Sequence, residues 1–165
     1  MEIFILFALL VVGILLFVLL PLWAFNKGWR VVSVGGSLLV SIALFYLISL
    51  MTIDPTSISG NGNLAILVMP FAVASYVGTL LLLYKIEFNL TFLIRIVCTI
   101  GILLLVIGEV IHVQNLVDTL GGGPDIPDSR IYRFGWFNQY TNTFYFNGYI
   151  FAIGILLVVG VFRKK

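Results

Sequence analysis

The chain has 165 residues, 61% of them apolar and only 10% charged, with nine Lys or Arg against seven Asp or Glu. Soluble domains carry roughly 25% charged residues, and a water-soluble fold of this length has too little interior to hide so much apolar side chain. The composition therefore excludes a soluble globular domain, a disordered tail and a nucleic-acid-binding protein, and the single Cys excludes an internal disulfide framework. What remains is a chain whose solvent is a bilayer.

A helix needs about 20 apolar residues to cross roughly 30 Å of hydrocarbon, and the runs poor in charge predict five such helices. The first covers about 3–25. It lacks a basic leader and outruns the apolar part of a signal peptide, so it reads as a permanent helix. The second covers 31–53. The third covers 64–84 after a polar lead-in, and Pro70 inside it is expected to kink it or leave a carbonyl unpaired. The fourth covers 92–113, with Arg95 in its first turn, where it can snorkel, and Glu109 and His112 in its last. The fifth covers 144–162. None of these runs alternates like a barrel strand. The expected fold is all-α, a single polytopic membrane bundle over 1–165.

Basic residues in short loops set orientation. Lys27, Arg30, Lys85, Arg95, Arg163, Lys164 and Lys165 share one side of a five-helix arrangement, leaving Arg130 and Arg133 on the other. This predicts an outside N-terminus, a cytoplasmic C-terminus and an outer loop over 114–143. The Asn89-Leu90-Thr91 glycosylation acceptor then falls inside and reads as a chance match. Location in a cell membrane of the bacterial inner type suits a chain with a short basic tail and no targeting sequence.

Helices in lipid approach closely through small residues four apart. Ser33, Ser37 and Ser41 form such a stripe on helix two, with Gly36 beside it. Ala74 and Gly78 do so on helix three, Gly101 and Gly108 on helix four, and Gly148 and Ala152 on helix five. These are expected packing positions; the alternative for the serines is a polar path. Cys98 reads as a small packing residue.

Ionisable groups within a span are the first candidates for function. Glu109 and His112 stand three apart on one helix face, so the carboxylate could hold the imidazole directly. They read as a hydrogen-bonded helix end or as an ion- or proton-sensing pair; a metal site would need ligands from a second copy. The outer loop opens with a flexible Gly121-Gly122-Gly123-Pro124 stretch and then turns aromatic. Arg130, Arg133, Trp136, Phe137 and Tyr140 are its candidates for contact with lipid or a partner, either as an aromatic belt or as a cap over the bundle mouth.

The chain has no phosphate-binding Gly-rich loop, no paired-His zinc helix, no Gly-x-Ser-x-Gly elbow and no internal duplication. No catalytic residue, metal or cofactor is expected. The expected partners are membrane lipids and a membrane protein or second copy, without nucleic acid. Three functions fit in descending order: a non-enzymatic protein acting through protein or lipid contacts (accessory subunit, immunity-type protector or assembly factor); an oligomeric transporter or channel using Glu109 and His112; and a membrane enzyme acting on lipid at the outer face, with His112, Glu109 and Asp118 near Arg130 and Arg133.

Overall fold

Backbone groups in an apolar run must be satisfied within the segment, and the chain does this with helices throughout. The computed structural model describes residues 2–57, 62–87 and 90–162, with side chains described from Val11 onward. The helices are α1 (Glu2–Asn26), α2 (Arg30–Met51), α3 (Met69–Lys85), α4 (Phe92–Thr119), the short α5 (Arg130–Phe134) and α6 (Gly148–Leu156), which continues as a π-helical turn over Leu157–Val161. Among the described residues there is no strand. Among the described residues three helical stretches are long and apolar enough to cross a membrane: Arg30–Met51, Phe92–Thr119 and Asn142–Val161. Met69–Lys85 and the Val11–Asn26 part of α1 are shorter apolar helices. Asn89 and the basic residues Arg163, Lys164 and Lys165 lie outside the described residues.

The helices form two groups. α1, α2 and α3 pack on one another, while α4 packs on α6 and its π turn; α3 joins the groups through the same π turn and α6. The side-chain distribution is inverted relative to a soluble protein. Ser33, Ser37, Ser41, Ser75 and Thr79 are buried between helices, whereas Leu20, Leu39, Val97, Leu104 and Ile107 are among many large apolar residues left exposed. α4 buries no residue at all. A surface of this kind suits hydrocarbon.

The third helix departs from the sequence expectation. Leu64–Leu67 form a 3-10 turn, and the α-helix starts only at Met69, so Pro70 stands in its first turn. A proline there removes an N–H that has no helical acceptor in any case, and no kink follows. The proline that does sit in a helix interior is Pro21 of α1. It has no N–H to give the Phe17 carbonyl four residues earlier. Gly78 of α3 lies against that carbonyl: a Cβ built on Gly78 would stand 3.2 Å from the Phe17 oxygen and 3.5 Å from the Val18 Cα. The glycine allows α3's backbone to cover the polar defect that the proline leaves.

Between α2 and α3 the hydroxyls close on themselves. Ser41 Oγ lies 2.8 Å from Ser75 Oγ and 3.0 Å from Thr79 Oγ1, and Ser37 Oγ lies 2.7 Å from Thr79 Oγ1. All four residues are buried. Ser41 and Thr79 also return a proton to the carbonyl four residues back, whereas Ser33, one turn away, donates only to Trp29 O at 2.7 Å. Ser41→Ala is therefore expected to destabilise the protein by about 0.6–1.7 kcal/mol, the range for interhelical bonds in membranes. Ser33→Ala, which removes a bond within one helix, is expected to be nearly neutral. Thermal unfolding in detergent distinguishes the two, and equal losses would overturn the assignment.

Helix five also differs in detail. Asn142–Phe144 form a 3-10 turn, and α6 proper begins at Gly148. Gly148 faces open space, and Ala152 is half-buried. The close approaches occur at Gly154, where a Cβ would overlap the Tyr76 hydroxyl, and at Gly160, where it would stand 2.5 Å from Cys98 Cβ. On α4 a Cβ at Gly108 would meet the Tyr149 ring at 2.6 Å, while one at Gly101 would make an ordinary 3.5 Å contact with Leu156.

Candidate functional site

The connector between α4 and α6 is folded. α4 runs on to Thr119, past the expected end at 113, and stops on Gly121 and Gly122, whose φ angles of 86° and 108° favour glycine. Gly122 N donates to Val117 O at 2.9 Å, capping the helix end, and Arg130 N donates back to Leu120 O at 2.9 Å. The Gly121–Pro124 stretch expected to be flexible is thus part of a turn closed by hydrogen bonds.

Ser129 then starts α5: its hydroxyl accepts from Tyr132 N at 2.9 Å and donates to Gly123 O at 2.7 Å. After Gly135, Asn138 Oδ1 accepts from Tyr140 N at 2.8 Å. Its Nδ2 donates to the Gly135 carbonyl, and Thr141 Oγ1 donates to Trp136 O at 2.7 Å. Asn138, Gln139, Tyr140, Thr141 and Asn142 are all buried in this knot.

Three attachments fasten the knot to the α2–α3 connection. Ile53 N donates to Gln139 O at 2.9 Å. The Asn63 and Asn142 amides exchange bonds of 2.7 and 3.0 Å. The Ser57 carbonyl accepts from Arg130 Nη1 at 2.7 Å and from Tyr140 Oη at 3.3 Å. The turn that presents this carbonyl is held by Asp54, whose Oδ1 accepts from the Thr56 hydroxyl and backbone N–H; the hydroxyl first, then the N–H, holds the carboxyl below the usual carboxylate range. Beneath the knot, Leu120, Ile131, Tyr140 and Phe144 pack together against Ile53, Val113, Leu116 and Val117.

This folding sorts the five loop candidates. Tyr140 is 1% exposed, and the Arg130 guanidinium lies 4.3 Å from its ring centroid. Arg130 is thereby used inside the cap. Arg133 pairs with Asp128 at 3.2 Å, both side chains largely in solvent, which contributes little. Trp136 and Phe137 face outward, and with Tyr132, Phe134 and Tyr145 they form an exposed aromatic set.

Glu109 and His112 are near one another, but no hydrogen bond joins them. Asn147 Nδ2 donates to both Glu109 oxygens, at 3.0 and 2.8 Å, while its Oδ1 caps α6 by accepting from Ile150 N at 3.0 Å. The carboxylate therefore ties α4 to the start of α6. His112 Nε2 is buried without a hydrogen-bond partner, and its ring lies 6.0 Å from that of Tyr149. The residue also lines a crevice of about 390 Å³ bounded by α2 and the start of α6.

Asn147 and Tyr76 are the residues that sequence reasoning missed. An Asn directly before an apolar run is an N-cap signature, so Asn147 was within reach. Tyr76, which donates to Phe151 O at 2.8 Å, gives no comparable signal. Among the described residues no cluster of three or more His, Cys, Asp or Glu stands where a metal could be held. Comparison with protein-family models, curated proteins and solved structures finds no match to this chain.

Proposed function

We propose that the chain is a small multi-pass protein of a cell membrane, bacterial and inner in type, that acts without catalysis through contacts made by its 120–147 cap. In this reading five helical segments cross the bilayer, with the N-terminus outside, the C-terminus cytoplasmic and the cap on the outer face. The lengths support it. α1, with 25 residues, is about 37 Å long. The 3-10 turn and α3 together reach roughly 33 Å.

The observation that carries the function is the division of the cap's aromatics. Tyr140 and Phe144 are buried and pin the loop; Tyr132, Phe134, Trp136, Phe137 and Tyr145 are exposed on that pinned scaffold. Rigid aromatic side chains lose little entropy on contact and dominate interfaces. The fit is to a membrane-protein partner, with lipid headgroups at the rim.

The test is purification in mild detergent of the intact chain and of Trp136→Ser/Phe137→Ser. A stoichiometric partner that is retained by the first and lost at least tenfold by the second, with unchanged thermal unfolding, is expected. A lone stable oligomer in both samples would instead favour the transporter or channel reading, in which half-buried His112 supplies the responsive group. Reporter fusions placing the cap and the C-terminus in one compartment would overturn the five-span arrangement.

A further inference from the structure

We infer that the end of the bundle opposite the cap is a binding surface for anionic phospholipid headgroups, built from Lys27, Arg30, Lys85 and Arg95. These residues are far apart in sequence, and the packing brings them to one level. Ser37 meets Thr79 and Ser41 meets Ser75, so α3 runs against α2 and Lys85 ends level with Arg30. Tyr76 reaches Phe151 O, and Tyr84 lines a crevice with Phe162, so α3 and α6 run the same way. On α4, Gly108 stands against Tyr149 and Gly101 against Leu156, so α4 starts where the π turn ends. Arg95 therefore joins the other three.

Three features select the occupant. The first is charge. Lys27, Arg30 and Lys85 are exposed and Arg95 is half-buried, and among the described residues none of the four makes an ion pair. Among the described residues only Glu87 opposes them at this end, whereas Asp54, Glu109, Asp118, Asp125 and Asp128 lie toward the cap. The second is position. Toward the cap the surface turns at once to exposed apolar side chains, Val32 and Leu39 on α2, Leu81 on α3 and Val97 on α4. The charges thus stand where hydrocarbon gives way to headgroups, the level to which Lys and Arg snorkel. The third is an aromatic collar: Trp23, Trp29 and Tyr84 are exposed at the same level, as such rings are at a membrane interface. α2 also starts here without a side-chain cap, and phosphate oxygens suit the N–H groups of a helix's first turn. A dissolved anion or an acidic protein has no need of a collar, nor of charges spread over separate helix ends; a lipid leaflet meets both. The inference rests on the membrane reading and is independent of what the cap binds.

The experiment reads tryptophan quenching by lipids brominated in their acyl chains, with the full chain reconstituted in phosphatidylcholine vesicles. Trp136→Phe leaves Trp23 and Trp29 to report the basic end, and Trp23→Phe/Trp29→Phe leaves Trp136 to report the cap. At equal mole fraction, brominated phosphatidylglycerol is expected to associate with the basic end about fivefold better than brominated phosphatidylcholine, the effect of one Lys or Arg beside an anionic surface. At the cap the two lipids should agree within about twofold. About 1 M NaCl, which shortens screening to roughly 3 Å, should bring the basic end to the same near-equality. So should Arg30→Gln/Lys85→Gln/Arg95→Gln; if that variant does not fold, the salt series decides. No preference at the basic end, one that survives these changes, or an equal preference at the cap overturns the inference while the membrane reading stands. Trp23 and Trp29 left unquenched by either brominated lipid would remove the membrane reading itself.

Discussion

Tyr140→Ala is expected to undock the cap and destabilise the protein by about 3–5 kcal/mol, the usual cost of deleting a buried aromatic ring. The ring is 1% exposed and packs with Leu120, Ile131 and Phe144. Its removal also strips Arg130 of its cation–π partner and leaves the Ser57 carbonyl with one donor fewer. Tyr140→Phe keeps the ring and gives up the hydroxyl, so its expected cost is about 0.5–1.5 kcal/mol. The readouts are thermal unfolding and thiol labelling of a cysteine placed at position 131, where the native Ile131 is buried against Tyr140. In Tyr140→Ala the melting temperature should drop and labelling should accelerate; in Tyr140→Phe labelling should stay slow. An alanine variant that melts and labels like the parent would show that the cap is held by its amide and backbone bonds alone.

The second large effect is expected at Gly78. Gly78→Leu places a side chain where the Phe17 carbonyl and Val18 Cα already stand 3.2 and 3.5 Å from a bare Cβ position. These are backbone atoms of a helix, so relief requires α1 to move away from α3. Overpacking of this kind costs typically about 1–3 kcal/mol, and separation would also expose the carbonyl that Pro21 leaves without its helical donor. Gly101→Ala is the control: its Cβ would make one ordinary contact, and better helix propensity makes it neutral or stabilising by up to about 1 kcal/mol. Thermal unfolding in detergent tests the pair. Equal behaviour of the two variants would mean that α1 does not rest on α3 through Gly78.

Features carried by local spacing were legible in the sequence, and features made by distant pairings were not. Three serines at steps of four are enough to pick out the side of α2 that is buried, because 3.6 residues per turn places them on one face. Composition alone announces helices with apolar exteriors. Pro70 was misread because a proline's effect depends on whether it lies in the first turn or the interior, and the sequence does not reveal that the α-helix begins at Met69. The connector's folding rests on Asn63 meeting Asn142 across 79 positions and on Arg130 reaching Ser57 across 73. No local pattern encodes such pairs. Glu109 was identified as a candidate, yet its partner proved to be Asn147 on another helix, since a residue three positions away on the same face still competes with whatever packs opposite.

The division of the helices into two groups bears on how the chain is made. Every contact holding α1, α2 and α3 together, including the hydroxyl cluster and the Gly78 approach, joins residues that precede Ile86. Contacts close in sequence form early, and chains assemble from the N-terminal end during synthesis. The first half can thus be largely assembled while the rest is still leaving the ribosome, and Phe146 and Phe151 complete the core around Phe45 afterwards. α4, burying nothing of its own, must wait in the lipid until α6 arrives to hold it. Insertion of α6 is therefore the step that secures α4, when Asn147 engages Glu109 and the connector settles onto the α2–α3 connection.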